Sequence, residues 1–339
     1  MEHAAYPARV RRRVEGGGAV RRILTAFLLL PLIAFSQASD WYMDFDEDFA
    51  AASSKKAEPV TLTFEYVSTY PATITIGGTT YGQPADPSKA LVDAGDGVFV
   101  PWTSNTITVK GKRIRFRGDW RNSSGNFIEL FRETFGGGHN VTMSGGFDFD
   151  GVPATYMFYY TFNGCSNLTG SIPVGLFGDI SGAPASHMFY ATFSRCSNLS
   201  GPIPSGLFGN ISGAPASFMF YYTFYNCGNL TGPIPSGLFG DISGAPADWM
   251  FAGTFNGCSK LTGSIPVGLF GDISGAPASF MFYYTFSGCS NLTGESALMP
   301  NGTTHLYEQF QTASGTQCDN CYLNATKLSD YATIPDAWK

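Results

Sequence analysis

The stretch that decides the fold is SIPVGLFGDISGAPA, from Ser171 to Ala185, which recurs unchanged from Ser264 to Ala278. Two further copies with small changes begin at Pro202 and Pro233. Self-similarity at a fixed period is the signature of a repeat architecture. The full unit is 31 residues long, and its five copies are centred on Cys165, Cys196, Cys227, Cys258 and Cys289.

Apolar residues recur at fixed places within this unit. One 31-residue loop cannot enclose a core, but stacked copies place each apolar residue against its own copy in the next coil. The unvarying columns are Met157/188/219/250/281, Phe158/189/220/251/282, Phe162/193/224/255/286, Leu168/199/230/261/292, Ile172/203/234/265 and Leu176/207/238/269. We therefore predict a repeat solenoid over residues 152–294, with these columns as its core.

Glycine and proline at fixed places indicate where each coil turns. The Thr-Gly-x-Ile-Pro segment is predicted to be short and extended, because Pro173 and its equivalents disfavour helix in the residue before them. In the Ala-Pro-Ala-x-x-Met-Phe segment, proline at a first turn favours a short helix, although the aromatic content also suits a strand. We expect one or two helical turns there, and hence short strands with short helical or irregular arcs.

The run from Phe162 to Leu168, with its four copies, resembles the Phe-x-x-Cys-x-x-Leu core of BspA-type leucine-rich repeats, a family of bacterial and protist surface proteins. The runs at 229–236 also resemble plant receptor repeats, but those have a shorter unit and asparagine in place of the cysteine ladder. The resemblance covers roughly residues 125–338. It implies a leucine-rich-repeat-like solenoid in a surface protein. It does not imply one particular function, because such repeats serve adhesion, host binding and matrix roles without a shared site.

Residues 59–122 alternate apolar and polar side chains, which predicts a small antiparallel β domain. One hairpin is expected to turn at Gly77-Gly78, and another to join Ile107 and Val109 to Ile114 and Phe116. The basic positions here either form a ligand patch or, as we favour, deter edge pairing between sheets. They are Lys110, Lys112, Arg113, Arg115 and Arg117.

Degenerate copies of the unit flank the regular repeats, and solenoids need such caps to shield their open ends. In the N-terminal cap, at 123–151, the run Leu130–Phe135 echoes Met157–Phe162 at an offset of 27. In the C-terminal cap, at 295–339, the runs Ala325–Leu328 and Ile334–Trp338 echo the Cys-x-x-Leu and Ile-Pro-x-Gly-Leu-Phe signals.

The first 38 residues have the three parts of a secretion signal. Arg21 and Arg22 precede an apolar run from Ile23 to Phe35, and small residues follow at 36–38. That run has 13 residues, whereas a transmembrane helix needs about 20. We predict a cleaved signal, with translation starting either at residue 1 or near Val20, and a mature chain without a transmembrane segment. Residues 39–58 form an acidic stretch that either binds calcium or, as we favour, is a solvated linker.

The cysteine column is predicted to be structural and not redox-active or metal-binding, since in a regular stack each thiol occupies the same inward corner. Cys318 and Cys321 differ, because an isolated Cys-x-x-Cys in an exported chain can close a local disulfide. A zinc site would need further ligands, and His305 alone is poor support. Asn-x-Ser/Thr triplets abound and are either glycosylation acceptors or, as we favour, duplicates of a polar turn; they include Asn167, Asn198, Asn210, Asn229 and Asn291.

No constellation of catalytic side chains or cofactor ligands is evident, and near-identical copies are not expected to form a unique pocket. We predict a non-enzymatic chain that binds no cofactor or metal. The repeats are also poor in charge: from Gly151 to Gly294 there are six charged residues. Nucleic acid is excluded as a partner of the repeats, because its binding depends on neutralising phosphates.

Positions that vary between copies are the candidate partner-binding residues, which form either an exposed aromatic row or part of a convex-side core. They are Tyr156, His187, Phe218, Trp249 and Phe280 in one column, with Tyr160, Tyr222 and Tyr284 in another. Exposed aromatic rings offer stacking area for sugars or protein side chains. We expect a secreted or cell-surface protein of adhesion type that binds a neutral protein or glycan. The alternative is a structural, self-assembling envelope or matrix component.

Overall fold

A computed structural model of the chain describes residues 59–77, 84–313 and 315–339. Residues 58–339 form one compact unit. The predicted signal at 1–38 and the acidic stretch at 39–58 lie outside the described residues. Within the described part, no helix is long and apolar enough to cross a membrane.

The described chain consists mainly of short strands and turns. Its strands are β1 (Thr61–Tyr66), β2 (Thr73–Thr75), β3 (Ala90–Asp93), β4 (Val100–Pro101), β5 (Thr106–Thr108), β6 (Arg113–Gly118), β7 (Val141–Ser144), β8 (Asp150–Gly151), β9 (Leu168–Thr169), β10 (Asp179–Gly182), β11 (Asn210–Gly213), β12 (Asp241–Gly244), β13 (Gly263–Ser264), β14 (Asp272–Ile273) and β15 (Leu292–Thr293). Its helices are α1 (Leu306–Gln309), α2 (Gly315–Cys318) and a 3-10 turn at Asp336–Trp338. Together these elements build a β-solenoid of about five coils.

The arc of each coil, from Ala154 to Cys165 and its copies, is a series of overlapping β-turns and contains no helical turn. Met157 N–H donates to the Ala154 carbonyl, three residues back. The alternate N–H groups donate instead to the next coil, as Phe158 does to Met188 at 2.7 Å. A left-handed residue recurs every fourth position, with φ of 62° at Tyr156. The expected helical turns are therefore wrong, because left-handed residues break a helix and direct N–H groups toward the neighbouring coil.

The opposite side of the coil is a parallel sheet in the order β14-β12-β11-β10-β8. Ser181 pairs with Asn210 and Ser212 with Asp241, so each coil contributes one short strand. A glycine precedes each of the four strands β10, β11, β12 and β14. At Gly240, φ is +74° and an added Cβ would lie 2.1 Å from the Ile211 carbonyl oxygen. The invariant glycine at this corner thus supplies both the left-handed φ and the close approach of two coils.

The predicted apolar columns are buried and form the core, as expected. The Phe162 ring stacks on Phe193 with ring centres 5.3 Å apart and planes 5° from parallel. Phe193 stacks in the same way on Phe224. Burying one such side chain contributes about 1.5–3 kcal/mol. The stack therefore holds the coils in one register.

The sheet of residues 61–118 continues directly into the repeats. β1 pairs antiparallel with β6 and with β7, and β7 then pairs in parallel with β9 in the first regular repeat. The resulting sheet has the order β4-β3-β6-β1-β7-β9. The predicted hairpin between residues 107 and 116 is wrong, because β5 pairs with β2 and β6 with β1 and β3. Gly78, in the other predicted hairpin turn, lies outside the described residues.

The N-terminal cap arc follows the repeat at an offset of 31, so the predicted offset of 27 is wrong for this segment. Phe127 stacks on Phe158 and Phe131 on Phe162, at 4.9 and 5.5 Å. Glu129 adopts the left-handed conformation of its equivalent Tyr160. The offset becomes 27 only at β7, where Val141 pairs with Leu168. Phe64 of β1 covers this arc, with its ring centre 4.9 Å from that of Phe131.

The C-terminal end is closed by residues 315–339. Tyr322 stacks on Phe286 at 5.6 Å and so continues the phenylalanine column by one layer. Trp338 lies 6.3 Å from Tyr322 and is 2% exposed. Ala325, Leu328 and Ile334 are also buried, at the places where the sequence echoes the repeat.

Candidate functional site

The five repeat cysteines form a buried ladder. Each thiol donates to the carbonyl oxygen of a phenylalanine in the preceding coil, as Cys196 does to Phe162 at 3.0 Å. Burial raises the pKa of Cys165 and Cys258 to about 12 and that of the other three well above the usual value. A thiol that stays protonated is a poor nucleophile and a poor metal ligand.

Cys318 and Cys321 are free thiols in the structure, so the predicted disulfide is absent there. Cys321 occupies the repeat position of a buried threonine, because its carbonyl accepts from Phe286 as Thr192 does from Phe162. Cys318 instead donates to the Ala337 carbonyl at 3.3 Å. The two side chains are therefore engaged with different neighbours.

A serine, a histidine and an aspartate meet in the C-terminal cap, which the sequence did not indicate. Ser296 Oγ donates to Asp330 at 2.5 Å and lies 2.9 Å from His305 Nδ1. Ser296 is 1% exposed, and its hydroxyl hydrogen is held by the carboxylate. The cluster thus ties residues 296, 305 and 330 together and offers no accessible nucleophile. No group of three potential metal ligands occurs among the described residues.

The asparagines of the Asn-Leu-Thr/Ser motifs form a second ladder. Asn198 and Asn229 donate through Nδ2 to the Ser166 and Ser197 carbonyls, at 2.7 and 2.8 Å. At the same place in the next coil, Lys260 donates to Asn229 Oδ1 at 2.6 Å. These side chains connect successive coils, which gives the duplicated motif a structural role whether or not it is glycosylated. Asn210 differs, since it begins β11 and is exposed.

The basic side chains of residues 110–117 are mostly paired within their own sheet. Lys110 binds Asp96 at 2.6 Å, and Arg113 binds Glu65 at 3.0 Å. Arg117 lies over the Phe99 ring at 4.1 Å. The carboxylates beside Lys110, Arg113 and Arg115 thus reduce the positive charge that this surface presents.

The candidate aromatic residues lie together on the outer surface of the turn arcs. Ring centres of Tyr156, His187 and Phe218 are 4.6 Å apart in succession, and those of Trp249 and Phe280 are 4.0 Å apart. Tyr156 is 40% exposed and the others are half-buried. Each ring thus packs against its neighbours and still presents an edge to solvent.

A neighbouring tyrosine column was missed by the sequence reasoning because it hardly varies between copies. It consists of Tyr159, Tyr190, Tyr221 and Tyr283, with Ala252 in the fourth coil. Burial raises the pKa of Tyr159 to about 12 and raises that of Tyr190 and Tyr221 further. The sequence nevertheless indicated this column, since the two consecutive positions between the buried Phe158 and Thr161 must both face outward. We call the columns that begin at Tyr156, Tyr159 and Tyr160 the aromatic face.

The aromatic face contains a cavity of about 320 Å³, contrary to the expectation that near-identical copies form no unique pocket. It lies over Ala191, where the tyrosine column of Tyr160, Tyr222 and Tyr284 is interrupted. A larger concavity of about 440 Å³ adjoins it and shares Arg132 and Glu133. The smaller cavity is lined by Arg132, Glu133, Tyr160, Asn163, Tyr190, Ala191, Ser194, Arg195, Tyr221, Tyr222 and Tyr225.

Comparison of the chain with models of protein families, with curated proteins and with solved structures finds no match.

Proposed function

We propose that this chain is a secreted or cell-surface interaction protein that binds a neutral protein or glycan through the aromatic face. We further propose that its coils belong to the leucine-rich-repeat type of the BspA resemblance. In support, the Phe, Cys and Leu of the Phe-x-x-Cys-x-x-Leu motif are all buried in each of the five copies. In this proposal the chain acts by binding alone, without enzymatic activity.

The observation that carries the proposal is the run of aromatic rings held in left-handed backbone conformations. Phe218 and Trp249 both have φ of 58°, and Phe280 has φ of 55°. Bulky residues rarely adopt this region, which costs roughly 1–2 kcal/mol each. Asparagine and glycine adopt it more readily, so the retention of large rings there favours a role in recognition over a role in stability.

The charge of the repeats restricts the partner to neutral chemistry. From residue 151 to 294 the charged residues are Asp179, Arg195, Asp241, Asp248, Lys260 and Asp272. With so few charges, attraction between opposite potentials cannot drive association. Aromatic stacking and hydrogen bonds from tyrosine hydroxyls remain as the sources of affinity.

The test is binding of the purified chain to arrays of neutral glycans and extracellular matrix proteins. Trp249→Asn removes a ring from the aromatic face while keeping a residue type that accepts the left-handed conformation. Val174→Ser is the matched control, because Val174 is 82% exposed in the Ile-Pro-x-Gly segment and the next two copies carry serine there. We expect binding that Trp249→Asn weakens and Val174→Ser leaves unchanged.

Two results would reject this function. Absence of binding on every array is one, and equal binding by both variants is the other. Light scattering of the same samples addresses the alternative of a self-assembling component, which predicts concentration-dependent growth where a binding protein stays monomeric.

A further inference from the structure

Three departures from the repeat meet at one place on the aromatic face. Ala191 stands where neighbouring coils carry Tyr160 and Tyr222. Arg195 replaces the glycine or asparagine of the other coils, and Tyr225 replaces an asparagine or serine. All three residues line the 320 Å³ cavity. Three residues that distinguish these coils from the others therefore contribute to one cavity.

Contacts among the tyrosine rings around Ala191 keep the cavity open. Tyr190 and Tyr221 lie side by side with ring centres 4.5 Å apart, and Tyr222 stacks on Tyr225 at 4.7 Å. An added Cβ at Gly253 would lie 2.0 Å from the ring of Tyr222. Gly253 therefore lets Tyr222 lean over the following coil, away from Ala191.

Charge around the cavity is balanced and polar groups dominate its lining. Arg132 pairs with Glu129 and lies 3.7 Å from Glu133, so two acids accompany Arg132 and Arg195. The hydroxyls of Tyr190 and Tyr221 remain protonated because burial raises the pKa of both side chains. They can donate as well as accept hydrogen bonds. An apolar side chain of a protein partner would leave these groups unsatisfied, at a cost in free energy.

We propose that the cavity over Ala191 is a subsite for a sugar ring of a neutral oligosaccharide. The apolar C–H faces of a sugar ring can stack on the tyrosine rings of the cavity. The hydroxyl groups around the sugar's edge can form hydrogen bonds with the charged side chains of the same cavity. A cavity of about 320 Å³ has the size of a small-molecule site. A protein partner instead docks on a much broader surface. This inference rests on the proposed function and narrows its partner from a neutral protein or glycan to a glycan.

The experiment compares binding of maltohexaose, cellohexaose, mannohexaose and chitohexaose to the full chain by isothermal titration calorimetry. Ala191→Tyr fills the cavity with the residue that the next coil carries at the same position. The backbone accepts it, since φ is 48° at Ala191 and 52° at Tyr222. Arg195→Asn is a second variant, borrowed in the same way from Asn226, in case the first fails to fold. Val174→Ser is the matched control, because Val174 is 82% exposed and lies outside the aromatic face.

We expect at least one hexasaccharide to bind and Ala191→Tyr to weaken it about tenfold or more, since stacking and hydrogen bonds are lost together. Arg195→Asn should weaken it less, and Val174→Ser should leave it unchanged. The subsite is refuted by absence of binding of all four sugars, or by binding that Ala191→Tyr and Arg195→Asn both retain. If Trp249→Asn abolishes binding to an array protein that Ala191→Tyr retains, the subsite fails while the proposed function stands.

Discussion

The Cys227 thiol donates a hydrogen bond to the carbonyl oxygen of Phe193 across 3.0 Å, and both residues are completely buried. The same pair recurs in every regular coil, so one layer of the core is a row of protonated thiols. Because burial raises the pKa of these thiols, their thiolate fraction stays negligible at pH 8 in the folded state. A thiol reagent that attacks thiolates should therefore be excluded until the chain unfolds.

The thiol prediction is quantitative. The native chain at pH 8 should react negligibly with a dithiobenzoate reagent, and all seven cysteines should titrate after unfolding without reductant. Only five reactive thiols after unfolding would mean that Cys318 and Cys321 form the disulfide that the structure lacks. Rapid labelling of the native chain would contradict the buried ladder.

A second prediction concerns the leucine column. Leu230→Ala in the central repeat should lower the free energy of unfolding by about 2–5 kcal/mol, since Leu230 is fully buried and the neighbouring coils restrict collapse of the cavity. The exposed Val174→Ser should change it by less than about 0.5 kcal/mol. Chemical denaturation followed by circular dichroism measures both, and equal effects would contradict the stack.

The repeat period was enough to predict most of the core residues from the sequence. Met157, Phe158, Phe162 and Leu168 recur at one spacing, and identical spacing leaves stacking as the only way to bury them all. The period contains no information on backbone conformation within the arc. Tyr156 and its copies are bulky residues that rarely adopt left-handed φ, so nothing in residue type distinguished serial turns from a helix.

Contacts between segments remote in sequence were also not predicted. The pairing of β5 with β2 and of β6 with β1 joins segments tens of residues apart, whereas local alternation suggested a hairpin. The cap was misaligned because Phe131 and Phe135 both fit a phenylalanine column, and only stacking on Phe162 selects Phe131. The cavity over Ala191 is lined by residues of the N-terminal cap and of three regular coils. Variation within single columns pointed to Tyr160 and Tyr222 but could not show that they border one cavity.

A third prediction uses two glycines of one coil to separate backbone strain from close approach. Gly237 and Gly240 both have positive φ, at +66° and +74°. An added Cβ at Gly237 meets open space, whereas at Gly240 it would lie 2.1 Å from the Ile211 carbonyl oxygen. Gly237→Ala should therefore cost about 1–2 kcal/mol, the price of left-handed φ alone. Gly240→Ala should cost clearly more, because the two coils must also separate.

Urea denaturation of the two glycine variants provides the measurement. Equal midpoints would show that coil spacing at this corner is adjustable. In that case the invariance of the Gly240 column would be explained by φ alone.

The last prediction concerns stability at the candidate site. Arg195 has φ of 63°, and its side chain is exposed. Asparagine adopts left-handed φ more readily than arginine and occupies the same position in the next coil as Asn226. Arg195→Asn should therefore raise the free energy of unfolding by up to about 1 kcal/mol.

Arg113→Asn is the control. Arg113 lies on strand β6 and is paired with Glu65, so the same exchange should be neutral or destabilising there. A loss of stability in Arg195→Asn would mean that the guanidinium supports the fold. A gain would mean that the arginine is kept at the cavity at a cost in stability, as expected of a residue that contacts a ligand.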